Sequence, residues 1–217
     1  MNSDRVLDIY LIGFKGARVR IFAPLDLIEF FENQSDDRIR RFIIWLKGRR
    51  WRVIAWIGRM LQTGRGYYVR LEMRLDPVER VIKAMDLTDH YVVFHSISWD
   101  TQQARKHFFA RLRWQRMKHL FWCAADFVLS IAALAIAFLP GPNLVGWYPF
   151  LRSLSHYRAF CGSRAILRSH NVIFKGLPEL CTLEENLQAP GFNRKRIHAI
   201  AADLKISGLE QFLERMV

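Results

Sequence analysis

The feature that most constrains this chain is an apolar run at residues 120–139, LFWCAADFVLSIAALAIAFL, in which Asp126 is the one charged side chain. A helix of this length extends about 30 Å, the thickness of the hydrocarbon core of a bilayer. Residues 105–119 are rich in Lys, Arg and aromatics, as is typical of the cytoplasmic end of such a helix. The alternative, a buried helix of a globular core, is normally shorter and polar on one face. The sequence therefore predicts a transmembrane span at 120–139.

The segment PGPN at residues 140–143 predicts a sharp turn after this span. Residues 144–171 regain helical spacing but carry Arg152, His156 and Arg158, which are too polar for an ordinary second span. An antiparallel return would place the polar face of this helix against the first helix or a partner chain. The sequence thus predicts a membrane-embedded helical hairpin with both ends on the cytoplasmic or matrix side.

Asp126 is expected to interact within this hairpin. If the chain turns at residues 140–143, Asp126 lies within one helical turn of His156 and Arg158. A carboxylate opposite His or Arg inside a membrane is either a structural ion pair or part of a proton or ion path. We favour structural pairing, because buried pairs more often serve specificity or assembly. The candidate residues for either role are Asp126, Arg152, His156 and Arg158.

The charge balance indicates a polyanionic neighbour. Lys and Arg number 33 against 20 Asp and Glu, which gives a net charge of +13. Residues 36–62 have the spacing of a basic amphipathic helix, which either lies on anionic lipid or covers the N-terminal sheet with a solvated basic face. Nucleic acid is not favoured as a partner, because no zinc finger, RRM or KH motif accompanies the charge. The candidate lipid-contacting residues are Arg41, Arg49, Arg50, Arg52, Arg111, Arg113, Arg116 and Lys118.

The flanking segments predict a small α+β domain. Residues 5–14, 17–24 and 90–99 have strand patterns. The segment DPVER begins a helix, with Asp76 as the cap and Glu79 where a capping box places its carboxylate.

The remaining boundaries follow from capping and breaker residues. Asp100 can cap a helix that continues into the apolar run. Loop residues are expected around Pro178 and Pro190, followed by short helices near 194–204 and 207–216.

These segments predict three parts and an α+β fold class. Residues 1–99 form a small N-terminal αβ domain on the cytoplasmic or matrix side, including the basic helix at 36–62. Residues 100–172 form a basic helix and the membrane-embedded helical hairpin, and residues 173–217 form a short helical C-terminal tail.

No pattern in the sequence favours an enzyme. There is no phosphate loop, dinucleotide fingerprint or nucleophile elbow. The three cysteines have no metal-ligand spacing. His119 and Cys123 lie one helical turn apart, but the sequence offers no third metal ligand near them. We therefore predict no catalytic residues, no cofactor and no metal site.

Roughly residues 76–170 contain an ordered series of motifs: DPVERVIKAM, YVVFHSIS, ARKHFFARLRWQRMKHL, the apolar run, LPGPNL and YPFLRSLSHYRAFCGSRAIL. Their order resembles that of the mitochondrial potassium–proton exchange-related family. The positions that carry most of the resemblance are Pro142, Asn143, Tyr148, Phe150, Arg152, Ser155, His156, Tyr157, Arg158, Ala159, Gly162 and Ser163.

The resemblance implies an integral membrane protein associated with monovalent cation (potassium)–proton exchange. An accessory or assembling subunit is favoured, because one span and a polar half-span cannot enclose a path unless several copies assemble. The implied partners are anionic membrane lipid and either further copies of the chain or another membrane protein. The alternatives are a membrane-anchored scaffold without ion transport and a basic soluble nucleic-acid-binding protein. The N-terminus lacks a signal or transit pattern, so a bacterial plasma membrane and a mitochondrial inner membrane both stay open.

Overall fold

The computed structural model describes residues 6–14, 18–33, 44, 76–136, 144–188, 199–200, 202, 204 and 206–216. The predicted helix at 36–62, with Arg41, Arg49, Arg50 and Arg52, lies outside the described residues except for Ile44. So do residues 137–139 at the end of the apolar run and the turn at 140–143.

A four-stranded mixed sheet with the order β2-β1-β3-β4 lies at the centre of the fold. Strands β1 and β2 form an antiparallel hairpin, β3 runs parallel to β1, and β4 runs parallel to β3. The β1 residues alternate in burial towards its start, as expected of a strand with one face on the core. The strands are β1 (Leu7–Phe14), β2 (Arg18–Phe22), β3 (Tyr91–Ser96) and β4 (Val172–Leu177).

Within the described residues five helices have both ends defined, and residues 25–33 are helical as well. The start of α2 is confirmed, because Asp76 Oδ1 accepts a hydrogen bond from the Val78 N–H at 3.0 Å and Pro77 occupies the first turn. Asp100 caps α3 in the same way, with its Oδ2 3.3 Å from the Gln102 nitrogen. The helices are α1 (25–33), α2 (Pro77–Ala84), α3 (Thr101–Ile136), α4 (Leu144–Arg168), α5 (Pro178–Gln188) and α6 (Leu209–Met216).

Helices α3 and α4 pack against each other as a hairpin whose sheet-proximal half belongs to the main core. Phe108 and Leu112 of α3 and Ile166 of α4 are fully buried in the same cluster as Ile9 and Val93 of the sheet. The hairpin is therefore anchored to the sheet domain through apolar packing at its base.

The predicted α+β class is confirmed as a small sheet with several helices, and two details of the prediction are wrong. Residues expected to form a loop around Pro178 instead form β4 and the start of α5. The tail is therefore not purely helical, because β4 adds an edge strand beside β3. Its short sequence, VIFKGL, contains a glycine and a lysine, which weakened the strand pattern.

The predicted membrane-embedded hairpin is not confirmed. Among the described residues, no helix is both long enough and apolar enough to cross a membrane.

Candidate functional site

A cluster of buried ionisable side chains lies where α2, α3 and α4 meet. Glu79 of α2, His119 of α3 and His156 of α4 are 6%, 2% and 5% exposed, respectively. Their ligand-type atoms all lie within 4.8 Å of one another. Removing polar groups from water is unfavourable unless they form hydrogen bonds or ion pairs in the folded protein. Each of these three side chains is therefore expected to have a specific polar partner.

Helical periodicity brings these side chains inward. On α3 the buried positions recur every three or four residues, so His119 continues the stripe that packs α3 onto the sheet domain. The buried residues of this stripe are Ala104, Phe108, Leu112, Gln115 and His119.

The two histidines contact each other directly. His119 Nδ1 and His156 Nδ1 are 2.9 Å apart, so one ring donates a hydrogen bond through its Nδ1–H and the other accepts it through the Nδ1 lone pair. Burial lowers the pKa of each imidazole to about 4, although the nearby Glu79 carboxylate opposes that shift. Both rings are therefore neutral near pH 7, and each keeps one nitrogen lone pair.

Glu79 is held as a carboxylate by its neighbours. Its Oε1 accepts a hydrogen bond from Ser155 Oγ at 2.9 Å and lies 3.3 Å from Lys83 Nζ and 3.6 Å from a terminal nitrogen of Arg152. Lys83 Nζ in turn donates to Ser155 Oγ at 2.6 Å. Burial alone would raise the pKa of Glu79, but the charges of Lys83 and Arg152 outweigh it and lower the pKa.

The position of Glu79 corrects the expectation of a capping box. The Glu79 carboxylate turns towards α4 and the cluster instead of back to the start of α2. Asp76 caps the helix as expected.

Asp126 adds a second carboxylate to the cluster from the side of the hairpin tip. Its Oδ2 lies 3.7 Å from His156 Nε2, and the two side chains are 17% and 6% exposed. One turn earlier on α3, the carbonyl oxygen of Cys123 accepts a hydrogen bond from Ser153 Oγ at 3.0 Å. The register of α3 against α4 thus places Asp126 beside His156, which also contacts His119.

Of the site residues named from the sequence, the structure brings Asp126, Arg152 and His156 together. Arg158 is half-buried on the same helix. Sequence reasoning missed Glu79 as a site residue. It noted the spacing of His119 and Cys123 but assigned them no role, and in the structure Cys123 Sγ lies 3.6 Å from Ser153 Oγ. The periodicity of the buried stripe could have indicated that His119 faces inward, but no local signal indicates that Glu79 lies opposite it.

The basic residues named as lipid contacts on α3 surround an exposed tryptophan. Arg113 and Lys118 are exposed, and Arg111 and Arg116 are half-buried. The Arg111 guanidinium lies 4.7 Å and Lys118 Nζ 5.5 Å from the centre of the Trp114 ring, which is 53% exposed. This part of α3 presents cations and an aromatic side by side, directly before the apolar run.

Beyond the cluster, the outer surface of the hairpin is apolar. Exposed apolar side chains follow His119 along α3 and recur on the facing part of α4. We call this set the apolar hairpin surface; it consists of Leu120, Phe121, Trp122, Phe127, Val128, Leu129, Ile131, Tyr148, Phe150, Leu154 and Tyr157.

These observations define a class of protein: an α+β domain from which a helical hairpin extends, with a buried ionisable cluster midway and an apolar outer surface beyond it. The chain belongs to the mitochondrial K+-H+ exchange-related family, whose model matches residues 57–169, just over half of the chain. The match includes Glu79, His119, Asp126 and His156. No curated protein and no solved structure matches the chain.

Proposed function

We propose that this protein is a membrane-docked accessory subunit of monovalent cation (potassium)–proton exchange. The family description supplies the link to K+-H+ exchange. The observation that carries the membrane part is the apolar hairpin surface, on which Phe121, Val128 and Leu129 are 66%, 65% and 58% exposed. Large contiguous exposed apolar surfaces mark sites of contact with lipid or protein.

Anionic lipid is the partner that fits this surface. Arg113, Lys118 and the half-buried Arg116 lie beside Trp114 at the sheet-proximal border of the apolar hairpin surface. Basic residues favour anionic headgroups, and tryptophan favours the boundary between headgroups and acyl chains. In the proposed orientation the hairpin tip enters the bilayer, and the sheet domain and both chain ends stay on the matrix or cytoplasmic side.

An accessory or assembling role agrees better with the hairpin than transport by a single copy. The polar side chains of the cluster are already engaged with one another: Glu79 with Ser155, Lys83 and Arg152, and Asp126 with His156. Two helices cannot enclose a polar path through lipid, so a path would need several copies or a partner protein. The proposed role is non-enzymatic, and its setting is the mitochondrial inner membrane or a bacterial plasma membrane.

Flotation of the full chain with vesicles tests the membrane part. We expect the wild type to float with phosphatidylcholine vesicles that contain cardiolipin or phosphatidylglycerol, and to float less at high salt. The double variant Phe121→Glu/Val128→Glu should reduce the floated fraction about tenfold or more, because each change removes a side chain worth about 1.5–3 kcal/mol on burial. The matched control is Ile97→Glu, an exposed apolar position (57%) after β3 and outside the hairpin. Equal flotation of all three proteins contradicts the proposal.

Potassium-driven proton movement in everted membrane vesicles tests the exchange part. We expect vesicles from cells that express the wild type to exchange K+ for H+ faster than vesicles from cells that express Phe121→Glu/Val128→Glu. A membrane-anchored scaffold is the second candidate, because the apolar hairpin surface alone suffices for it. If the wild type floats with the vesicles but its expression does not change the rate of K+-H+ exchange, the result supports the membrane-anchored scaffold.

A further inference from the structure

We propose that Glu79, His119 and His156 form a binding site for a divalent transition-metal ion, with Zn²⁺ the ion that this ligand set suits best. The three residues come from three different helices and are buried, and their ligand atoms lie within 4.8 Å of one another. The inference does not rest on the proposed membrane role.

The donor set has the chemistry of a zinc site. Two imidazole nitrogens and one carboxylate oxygen are the protein ligands of zinc sites that keep a fourth position open. In a tetrahedral site with bonds of about 2.1 Å, neighbouring ligand atoms are about 3.4 Å apart. The two Nδ1 atoms, now 2.9 Å apart, would move apart by about half an ångström as two metal bonds replace their shared hydrogen bond. Small rotations of the imidazole side chains can supply this change. The Nδ1 proton of the donor ring would leave that nitrogen, and the ring would become the Nε2–H tautomer by exchange with solvent.

Asp126 is placed to support His156 as a ligand. If His156 binds the metal through Nδ1, its Nε2 proton points towards Asp126 Oδ2, which lies 3.7 Å away. A carboxylate that accepts the second ring proton of a metal-bound histidine fixes the tautomer and raises the basicity of the ligand. Asp126 is therefore near enough to become this outer partner if its carboxylate moves about 0.5–1 Å closer to Nε2.

The surroundings of Glu79 also suit ligation. Ser155, Lys83 and Arg152 all contact Oε1, and a ligating carboxylate is usually held by such outer contacts. In the proposed site Glu79 binds the metal through Oε2. The carboxylates of Glu79 and Asp126 equal in number the two side-chain cations, Lys83 and Arg152, that flank Glu79.

Gln115 is a buried amide on the same face of α3 as His119. Gln115 lies one turn before His119 in the same buried stripe and is 3% exposed, and its Oε1 has no hydrogen-bond partner among the described residues. An unsatisfied buried amide oxygen is unfavourable, and ligation or a metal-bound water would satisfy it.

The test is equilibrium dialysis of the chelator-treated full chain against Zn²⁺, with bound metal counted by mass spectrometry. We expect one equivalent to bind to the wild type and to His107→Gln, a matched control that changes an exposed histidine of the same helix. His119→Gln and His156→Gln should bind at least about 100-fold more weakly, and Asp126→Asn should bind about 10- to 100-fold more weakly. Binding that is equal in the wild type and His119→Gln, or lost equally in His107→Gln, overturns the proposal.

Co²⁺ provides a second readout that needs no variant. Substituted into the wild type at one equivalent, it should give the intense visible absorption of a four- or five-coordinate site with nitrogen ligands. A spectrum identical to that of Co²⁺ in buffer would overturn the proposal even if the histidine variants fail to fold.

Discussion

Gly162 allows α4 to lie directly against the backbone of α2. A Cβ atom at this position would lie 1.9 Å from the carbonyl oxygen of Ile82, which is backbone and cannot swing aside. The close approach brings α4, with Ser155 and His156, next to Glu79 of α2. The geometry of the cluster therefore requires glycine at position 162, because any side chain there would push α4 away from α2.

We predict that Gly162→Ala destabilises the fold by about 2 kcal/mol or more, because α2 and α4 must separate. Urea denaturation measures this change, and thermal unfolding should shift down by several degrees. Gly176→Ala is the matched control: Gly176 is exposed, the nearest atom to its Cβ would be the side-chain Cγ2 of Ile97 at 3.2 Å, and the next neighbours lie at an ordinary 3.9 Å. A loss of stability in Gly176→Ala equal to that in Gly162→Ala would contradict this account.

Glu184 gives a prediction about pH. It is 4% exposed, and its Oε1 accepts a hydrogen bond from the Gly13 N–H at 2.6 Å. Burial raises the pKa of Glu184, although the hydrogen bonds from Gly13 and Ser96 oppose the shift. Because the folded state binds this proton more readily than the unfolded state, its stabilising effect is complete below about pH 4.5 and is lost as the pH rises through the folded pKa.

Glu184→Gln keeps an oxygen for the Gly13 N–H but cannot titrate. Between pH 4.5 and 7.5 the free energy of unfolding should fall by less in Glu184→Gln than in the wild type, because only the wild type loses a proton that the folded state binds more tightly than the unfolded state. Denaturant titrations over that pH range measure the difference. The control is Glu185→Gln, an exposed neighbour on α5 that should follow the wild type. Parallel curves for Glu184→Gln and the wild type would refute the assignment.

At the scale of elements, the α3–α4 hairpin is held in register by polar contacts as well as by apolar packing. The contacts of Ser153 with the Cys123 carbonyl and of Asp126 with His156 set which residues face each other. The sequence already placed Asp126 within a turn of His156. In two antiparallel helices joined by a short turn, the numbers of residues that lie level with each other add up to a nearly constant value. Register within a hairpin is therefore close to a local property.

A double-mutant cycle tests the Asp126–His156 contact. Asp126→Leu alone leaves His156 Nε2 without its carboxylate, so the double variant Asp126→Leu/His156→Leu should cost less than the sum of the single variants, by about 0.5–3 kcal/mol. Urea denaturation in lipid or mild detergent provides the free energies. Asp126→Leu combined with His170→Leu, an exposed position after α4, should be additive. If the changes in unfolding free energy are additive in both pairs, Asp126 and His156 do not stabilise each other.

At the scale of the whole molecule, the sheet joins segments from both ends of the chain. Strand β3 pairs with β1 on one side and with β4 on the other, with registers of Leu7 to Tyr91 and Tyr91 to Val172. After β4, α5 adds Leu180 and Leu183 to the main core, where both are fully buried. The hairpin is thus inserted between two strands of the same sheet.

We predict that a chain ending at residue 171 loses cooperative unfolding. It would lack β4, leave one edge of β3 unpaired and remove the apolar side chains of α5 and α6 from the core. Near-ultraviolet circular dichroism during a urea titration measures this loss. Supplying residues 172–217 as a separate fragment should restore part of the transition. A shortened chain that unfolds as sharply as the full chain would contradict the arrangement.

The sequence by itself determined the features that depend on near neighbours. Asp76 and Pro77 fix the start of α2. β-branched and aromatic residues indicate β1, and alternation indicates β2. Asp100 and an uninterrupted helical pattern fix α3. Its ordered motifs also identified the family, which the match over residues 57–169 confirms. Each of these signals lies within about one or two turns of helix or one hairpin, where chain geometry leaves few alternatives.

Only the tertiary structure decided what lies in the buried cluster. His119 and His156 are 37 residues apart and Glu79 and Ser155 are 76 apart, so their contacts depend on how three helices dock on the sheet. The pairing of β4 with β3 is equally remote in sequence. Local patterns report which face of an element is buried, but they do not report which other element covers it. The Glu79–His119–His156 cluster is created by that docking, and therefore no spacing in the sequence could show it.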